Sequence, residues 1–427
     1  MKQPRNLSSL AGMVAFLLLC VLASTNVTSI NWHCIFWSIS VQFILALILL
    51  RTDWGISGIE WVAACVESFM ENGYKASKFV FVSIYCLISF QSLPLLFLVN
   101  SFLAILYHVG LMQILIRGIG KFLSSTLGTT PPESLSVSAN MFLGSSQSAL
   151  VIKPYLNSMS KSELFSMMVG GFASVSGAVF GIFINFGAPA KHLLTACIMS
   201  APASFAISKL LVPESKKNRN KDWEDADLDI QKYKNLIDAT GRGALEAVTV
   251  CSSVIVNLYV FYALLQFINS LMIWTGERIG VQGLSFQYII SYLLLPIPML
   301  MGVDLVDCRG VAKLIGYKLV GTNGLAFIML GKLRENKELY LEYSLGANRT
   351  WHYKGDDIIL DSWNTTLAAT YAMCGFSNFA SMGIMMGTLF ALAPKRQELL
   401  VNIILKAMIA GNIACYLTAC IAGKVKI

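Results

Sequence analysis

Ser134-Leu-Ser-Val-Ser-Ala-Asn140-Met-Phe-Leu143-Gly144-Ser145-Ser146-Gln147-Ser148 is a polar, glycine-containing tip between apolar arms too short to cross a bilayer, and the fold turns on how it is read. In a soluble protein it would be a surface loop between full helices. The rest of the chain argues against that setting. Of 427 residues, 56% are hydrophobic and 13% charged, whereas ordinary soluble domains carry roughly a quarter charged residues. Apolar stretches at 10–24 with its neighbours, 35–50, 79–107 and 244–272 supply membrane helices, each of which needs roughly 20 residues. Backbone that breaks at membrane depth must find its hydrogen bonds in protein or trapped water. The tip therefore reads as a re-entrant hairpin over 135–158.

A second interruption lies in 302–323, where Asp304, Asp307, Lys318, Thr322 and Asn323 punctuate an apolar run, and it reads as a second hairpin over 286–332. Paired interruptions in the two halves of a chain point to a binding site at the bilayer midplane. Each is followed by a small, hydroxyl-rich segment, Gly170-Gly171-Phe-Ala-Ser174-Val-Ser176-Gly177 and Cys374-Gly375-Phe376-Ser377-Asn378-Phe379-Ala380-Ser381. Small residues allow close helix approach, so packing alone would also account for them.

The net charge of +8 does not mark a nucleic-acid surface, because Lys and Arg sit at the ends of apolar segments and in short loops. The most cationic loop, 213–222 with Lys216, Lys217, Arg219 and Lys221, is expected in the cytoplasm. Counting outward from it gives spans near 9–25, 33–50, 79–107, 162–186, 193–212, 242–274, 366–392 and 399–423, with the N-terminus outside. Segment 51–78, with Trp54, Trp61, Glu67 and Lys75, reads as interfacial. The polar stretch 334–364 then falls outside and carries glycosylation sequons at Asn348 and Asn364. Lys2 and Arg5 before the first apolar segment also fit a signal peptide, although the next apolar helix follows at once, as in a helical hairpin. The ten cysteines are scattered without metal spacing and read as small buried residues. His33, His108, His192 and His352 form no catalytic or metal-binding spacing, so no enzyme and no catalytic residue is expected.

Several segments strongly resemble the concentrative nucleoside transporters. They are Tyr107-His-Val-Gly-Leu-Met-Gln113, Gly128-Thr-Thr-Pro-Pro-Glu-Ser134, Ile152-Lys-Pro-Tyr-Leu156, Lys161-Ser-Glu-Leu164, His192-Leu-Leu-Thr-Ala-Cys197 and Ala369-Thr-Tyr-Ala-Met-Cys-Gly-Phe-Ser-Asn-Phe379, extended by Met199-Ser-Ala-Pro202 and Ile409-Ala-Gly-Asn-Ile-Ala-Cys415. The resemblance implies an all-α polytopic protein with about eight membrane helices, two re-entrant hairpins in an inverted-repeat transport domain, and interfacial helices. It divides the chain into a scaffold at 1–107, a first hairpin repeat at 108–213, a loop and scaffold helix at 214–275, and a second hairpin repeat at 276–427. It further implies a multi-pass plasma-membrane homotrimer, with sodium as coupling ion, no organic cofactor and a nucleoside-like solute.

By the same resemblance sodium is held by the side chains of Asn140 and Ser174 and the carbonyls of Leu143 and Val175. Gly144, Ser145, Ser146, Gln147, Val179, Asn323, Phe376, Asn378 and Ser381 contact the solute. The match departs from the family at Gln147 and Asn323, where amides replace glutamates, and at Asp304-Leu305-Val306-Asp307, where a Pro-Trp pair is usual. A carboxylate only accepts hydrogen bonds, and losing one charged bond costs roughly 1.5–3 kcal/mol, or about 10–100-fold in affinity. The expectation is sodium-coupled nucleoside import with altered preference. Alternatives are a carrier with a different solute or proton coupling, and a membrane sensor that does not transport.

Overall fold

The computed structural model describes residues 5–80, 94–214, 233–280, 284–344 and 363–425, which among themselves are helical with short connections. Asn348 and most of the loops at 213–222 and 334–364 lie outside the described residues, as do 81–93 of the expected 79–107 span. Helices α1 (Arg5–Leu22), α2 (Trp32–Arg51) and α3 (Asp53–Val80) open the chain. Trp54 and Trp61 on α3 are exposed, as an interfacial helix requires. Helices α4 (Leu95–Val109) and α5 (Leu111–Leu127) follow, bent by 80° at Gly110, whose φ of 90° places it in the left-handed region that glycine tolerates.

The first hairpin pairs α6 (Pro131–Asn140) with α7 (Ser145–Val151). Two prolines open α6 where backbone donors are unsatisfied anyway, and the Glu133 carboxylate accepts from the Thr130 amide at 2.9 Å. Next come α8 (Lys161–Ala173) and α9 (Gly177–Asn185), interrupted at 174–176. A continuous span over 162–186 was expected there, so the structure corrects it. Helix α10 (Ala190–Leu211) completes this half.

The second half repeats the sequence of elements after the 43-residue helix α11 (Leu236–Arg278), which packs along α4. The short α12 (Phe286–Leu293) and α13 (Pro296–Leu300) turn by 118° into α14 (Leu305–Val320), which pairs with α15 (Asn323–Ser344) as the second hairpin. The hairpin thus begins at Leu305 rather than 286, because Gly302 (φ 81°) breaks the apolar run ahead of it. The helices α16 (Trp363–Cys374) and α17 (Phe379–Leu392) are again one broken helix, where 366–392 was expected to be smooth, and α18 (Gln397–Val425) closes the fold. Among the described residues, four helices are long and apolar enough to cross a bilayer, or six if each bent pair counts as one.

Helices α8, α10, α16 and α18 form the mutual core of the two repeats. Within it Lys209 of α10 and Glu133 of α6 make an ion pair of 2.7 Å with both side chains nearly inaccessible. Such a pair is costly to break on one side. Gln42 of α2 donates to Thr418 of α18 at 2.9 Å, also buried. Removing the acceptor in Thr418→Val strands the Gln42 amide and should cost about 1–3 kcal/mol, read as a lower unfolding temperature in detergent; an unchanged temperature would mean the amide finds another partner.

Candidate functional site

The site is built where two interrupted helices meet two hairpin tips. A helix interruption leaves carbonyls and amides without intrahelical partners, and in a membrane each must be satisfied by protein. The tip of the first hairpin is stitched to the break at 174–176: the Gly177 amide donates to Phe142 O at 2.9 Å, and Ser176 Oγ donates to Leu143 O at 2.7 Å. The approach is so close that a Cβ on Gly144 (φ 102°) would lie 2.8 Å from the Ser176 Cβ. The two breaks also touch each other, Phe376 N donating to Ser174 O at 3.3 Å.

These stitches draw the first hairpin tip, with Asn140 and Leu143, against the break that carries Ser174 and Val175, and all four residues are buried. Asn140 Oδ1 accepts from Ser148 Oγ at 2.7 Å, while Asn140 Nδ2 is buried without a partner. Turning the amide by half a turn lets Nδ2 donate to Ser148 and gives the orphan position to Oδ1, an oxygen that a cation would satisfy. Ser174 Oγ spends its proton on Gly170 O at 2.9 Å and keeps lone pairs. Four neutral oxygens suit a hard monovalent ion that must also leave, so the residues fit sodium. Asn140, Ser174 and the Leu143 and Val175 carbonyls would hold it, and the ion would supply positive charge between tip and break.

The second-repeat residues meet in an amide chain. Asn323, at the start of α15, donates from Nδ2 to Met373 O at 2.6 Å and to Gly375 O at 2.7 Å. Its Oδ1 accepts from Asn378 Nδ2 at 2.7 Å, and Asn378 Oδ1 in turn caps α17 by accepting from Ser381 N at 2.8 Å. Lys318 Nζ donates to Ala372 O at 2.9 Å. The loose carbonyls at the end of α16 are thus capped by the second hairpin. Asn412 supplies the Ser377 carbonyl at 2.9 Å in the same way. Phe376, half-buried, stacks toward Phe183 at 5.8 Å, and Phe183 packs on Phe327 of α15 at 4.8 Å.

The remaining expected contacts are distributed differently. Gly144 and Ser145 sit at the first tip, with Ser145 packed so closely on Gly171 that no Cβ fits between them. Val179 is buried in α9. The Ser146 side chain lies outside the described ones. Gln147 turns toward α4 and α11, where its Oε1 is buried without a partner. Asp307 is buried and accepts from Thr365 Oγ1 at 2.6 Å, so it ties α14 to α16. Sequence reasoning did not assign Ser148, Ser176 or Lys318, whose partners lie across a hairpin tip or on a different helix of the same repeat; only their polarity within an apolar setting signalled them.

Family models for "Na+ dependent nucleoside transporter" match residues 192–423 (C-terminus) and 11–84 (N-terminus), and a "Nucleoside recognition" model matches 89–190. The chain is 34% identical over 424 residues to sodium/nucleoside cotransporter 2 of Rattus norvegicus, covering 99% of this chain and 63% of that protein. It is 37% identical over 422 residues to solute carrier family 28 member 3 of Mus musculus, covering 98% and 59%. The chain therefore spans about three-fifths of the length of these curated relatives. Its fold is similar to that of CNTnw in an inward-facing substrate-bound state, with a TM-score of 0.87 and 29% identity over 98% of this chain and 97% of that one. The multi-pass helical chain, with its paired hairpins and broken helices, belongs to the family of Na+-dependent nucleoside transporters.

Proposed function

We propose that this chain is a sodium-coupled symporter that imports nucleosides or nucleoside analogues. The observation that carries the reading is the buried cluster of Asn140, Leu143, Ser174 and Val175, in which a hairpin tip and a helix break share one set of neutral oxygens. An ion held there would fasten the tip to the break, so ion and solute occupancy bias the same closure. The solute would lie beside it, against Phe376, the Asn378–Ser381 cap and the first tip at Gly144–Gln147. Translocation, rather than bond-making, is the work assigned to these groups.

The same reading places the protein in the plasma membrane as a homotrimer, with the 213–222 loop in the cytoplasm and the sequons at Asn348 and Asn364 outside. The 1–107 and 214–275 segments would form the scaffold against which the two hairpin repeats move. Support for the orientation comes from the cationic loop and from the placement of sequons in 334–364. A second reading, changed solute preference, is favoured by one observation: both hydrogen-bonding ends of the Asn323 amide are taken up by protein. The test is uptake of radiolabelled uridine and adenosine into cells expressing the full chain, in sodium against choline buffer. Sodium should raise initial uptake of at least one nucleoside well above background, on the order of tenfold; no sodium-dependent accumulation of any nucleoside would sink the proposal.

A further inference from the structure

Helix α5 contributes nothing to the ion and solute groups described above, yet it is built for a definite setting. It leaves α4 at Gly110 with a bend of 80°, and Gln113 Nε2 fastens the bend by donating to Tyr107 O at 2.8 Å. Because α4 belongs to an apolar segment read as a span, a helix turned that far from it lies close to the bilayer plane. One face of α5 is committed to protein: Met112, Ile116, Gly120, Leu123 and Leu127 are buried, and Leu123 and Leu127 pack in one cluster with Val137 of the first hairpin. The opposite side is not polar, as it would be in water. Ile114 is 69% and Phe122 55% exposed, with Leu111 and Leu115 exposed beside them. At about 100° per residue, Leu111, Leu115 and Phe122 fall in one narrow sector. Arg117 and Lys121, both exposed, form the adjoining edge one turn apart.

Two like charges four residues apart on a helix repel, a cost that an anion between them removes. No Asp or Glu occurs between Glu71 and Glu133, so neither α4 nor α5 supplies that anion. The exposed apolar sector needs a hydrocarbon neighbour and the basic edge an anion at headgroup level, and one molecule carries both. We propose that α5 is a binding site for an anionic glycerophospholipid, with its phosphate between Arg117 and Lys121 and its acyl chains along Leu111, Leu115 and Phe122. Free phosphate would leave the apolar sector uncovered. The orientation proposed above puts α5 at the cytoplasmic leaflet, where anionic lipids concentrate. Since the buried face of α5 rests on the first hairpin, a lipid held on its outer side reaches that hairpin through a single helix.

The test follows thermal unfolding of the full chain in detergent as short-chain phosphatidylserine, short-chain phosphatidylcholine or inorganic phosphate is added. Phosphatidylserine should raise the unfolding temperature at concentrations where the other two do not. Arg117→Gln and Lys121→Gln should each raise the half-maximal phosphatidylserine concentration by about 5-fold, and the two together by roughly 25-fold, with the lipid-free unfolding temperature unchanged. Exchanging the two cations, Arg117→Lys with Lys121→Arg, should keep the response and so separates loss of charge from loss of fold. Lys75→Gln, which removes an exposed charge from α3, should respond as the parent does. Equal stabilisation by phosphatidylcholine would reduce the site to ordinary lipid solvation, and equal stabilisation by phosphate would leave an adventitious ion only. An undiminished response in the Arg117→Gln, Lys121→Gln variant, or a loss in Lys75→Gln as large as in Lys121→Gln, would assign the effect to charge elsewhere. A smaller assembly for the double variant on size exclusion would give this face to a second copy of the chain. Each of these outcomes overturns the proposal, and none depends on transport activity.

Discussion

Asn323→Glu is expected to yield little folded protein, even though it restores the carboxylate found in the family at this position. The reason lies in what the asparagine does in this chain. Its Nδ2 donates to Met373 O and Gly375 O, while its Oδ1 accepts from Asn378, all in a side chain only 1% exposed. A carboxylate has no proton to give. It would set a negative charge against two carbonyl oxygens and strand both, at about 1–3 kcal/mol each, with a further cost of several kcal/mol for a buried charge without a partner. Against a total stability of roughly 5–15 kcal/mol, losses of that size decide whether the chain folds. Lys318 could pair with the new charge only by leaving Ala372 O, which moves the defect along α16 without removing it. Fluorescence-detected size exclusion and thermal unfolding in detergent provide the measurement; an unfolding temperature equal to that of the parent would show that the glutamate turns into the solute pocket and that the amide chain is dispensable. Gln147→Glu is the contrast, because Gln147 Oε1 has no partner to lose. From sequence, the two amides look like equivalent replacements in one pocket. The structure separates them into a saturated cap at Asn323 and an open group at Gln147.

That separation marks where the sequence stops being legible. The first hairpin could be read because a backbone break in an apolar setting needs small and polar residues on the spot, and residues 134–148 carry them. The breaks at 174–176 and 375–378 carry a similar signature, yet serine and glycine also serve plain helix packing, so composition leaves the backbone continuous. What shows the interruption is the origin of the caps: Asn412 reaches the Ser377 carbonyl, Cys415 Sγ lies 3.6 Å from Ala173 O, and Asn323 and Lys318 serve α16. These partners lie tens to hundreds of positions away, and local spacing cannot pair them. The second hairpin was read too long for a related reason. Helices α12 and α13 are as apolar as a hairpin arm, and only the turn at Gly302 sets them apart. Asn140 and Ser174 are named as oxygen donors by resemblance alone, and the stitches that join tip to break run through Ser176 and Gly177, to which the sequence assigned no such role.

Asn140→Leu should leave the fold standing and remove sodium activation. Leucine shares the branched outline and heavy-atom count of asparagine, and the hydrogen bonds at stake are few: Nδ2 has no partner, and Ser148 Oγ, on losing Oδ1, still reaches Ser145 O at 3.1 Å. The folding cost is then on the order of one neutral hydrogen bond, about 1 kcal/mol. The proposed ion site fares worse, because one of its four oxygens gives way to a methyl group that cannot coordinate a cation. A loss on the order of 2 kcal/mol in ion binding corresponds to about 30-fold in sodium half-saturation, so nucleoside uptake should become nearly equal in sodium and choline buffers. Ser174→Ala should weaken sodium less if the Val175 carbonyl on the same break stays in place. Uptake measured against sodium concentration decides the matter: a half-saturation within twofold of the parent would place the coupling ion elsewhere. Because Asn140 and Leu143 belong to the hairpin tip while Ser174 and Val175 belong to the broken helix, an ion bridging them lowers the energy only when tip and break are apposed. A variant that cannot hold the ion should therefore also lose the preference for that apposed arrangement, and its residual solute binding should no longer strengthen as sodium is added.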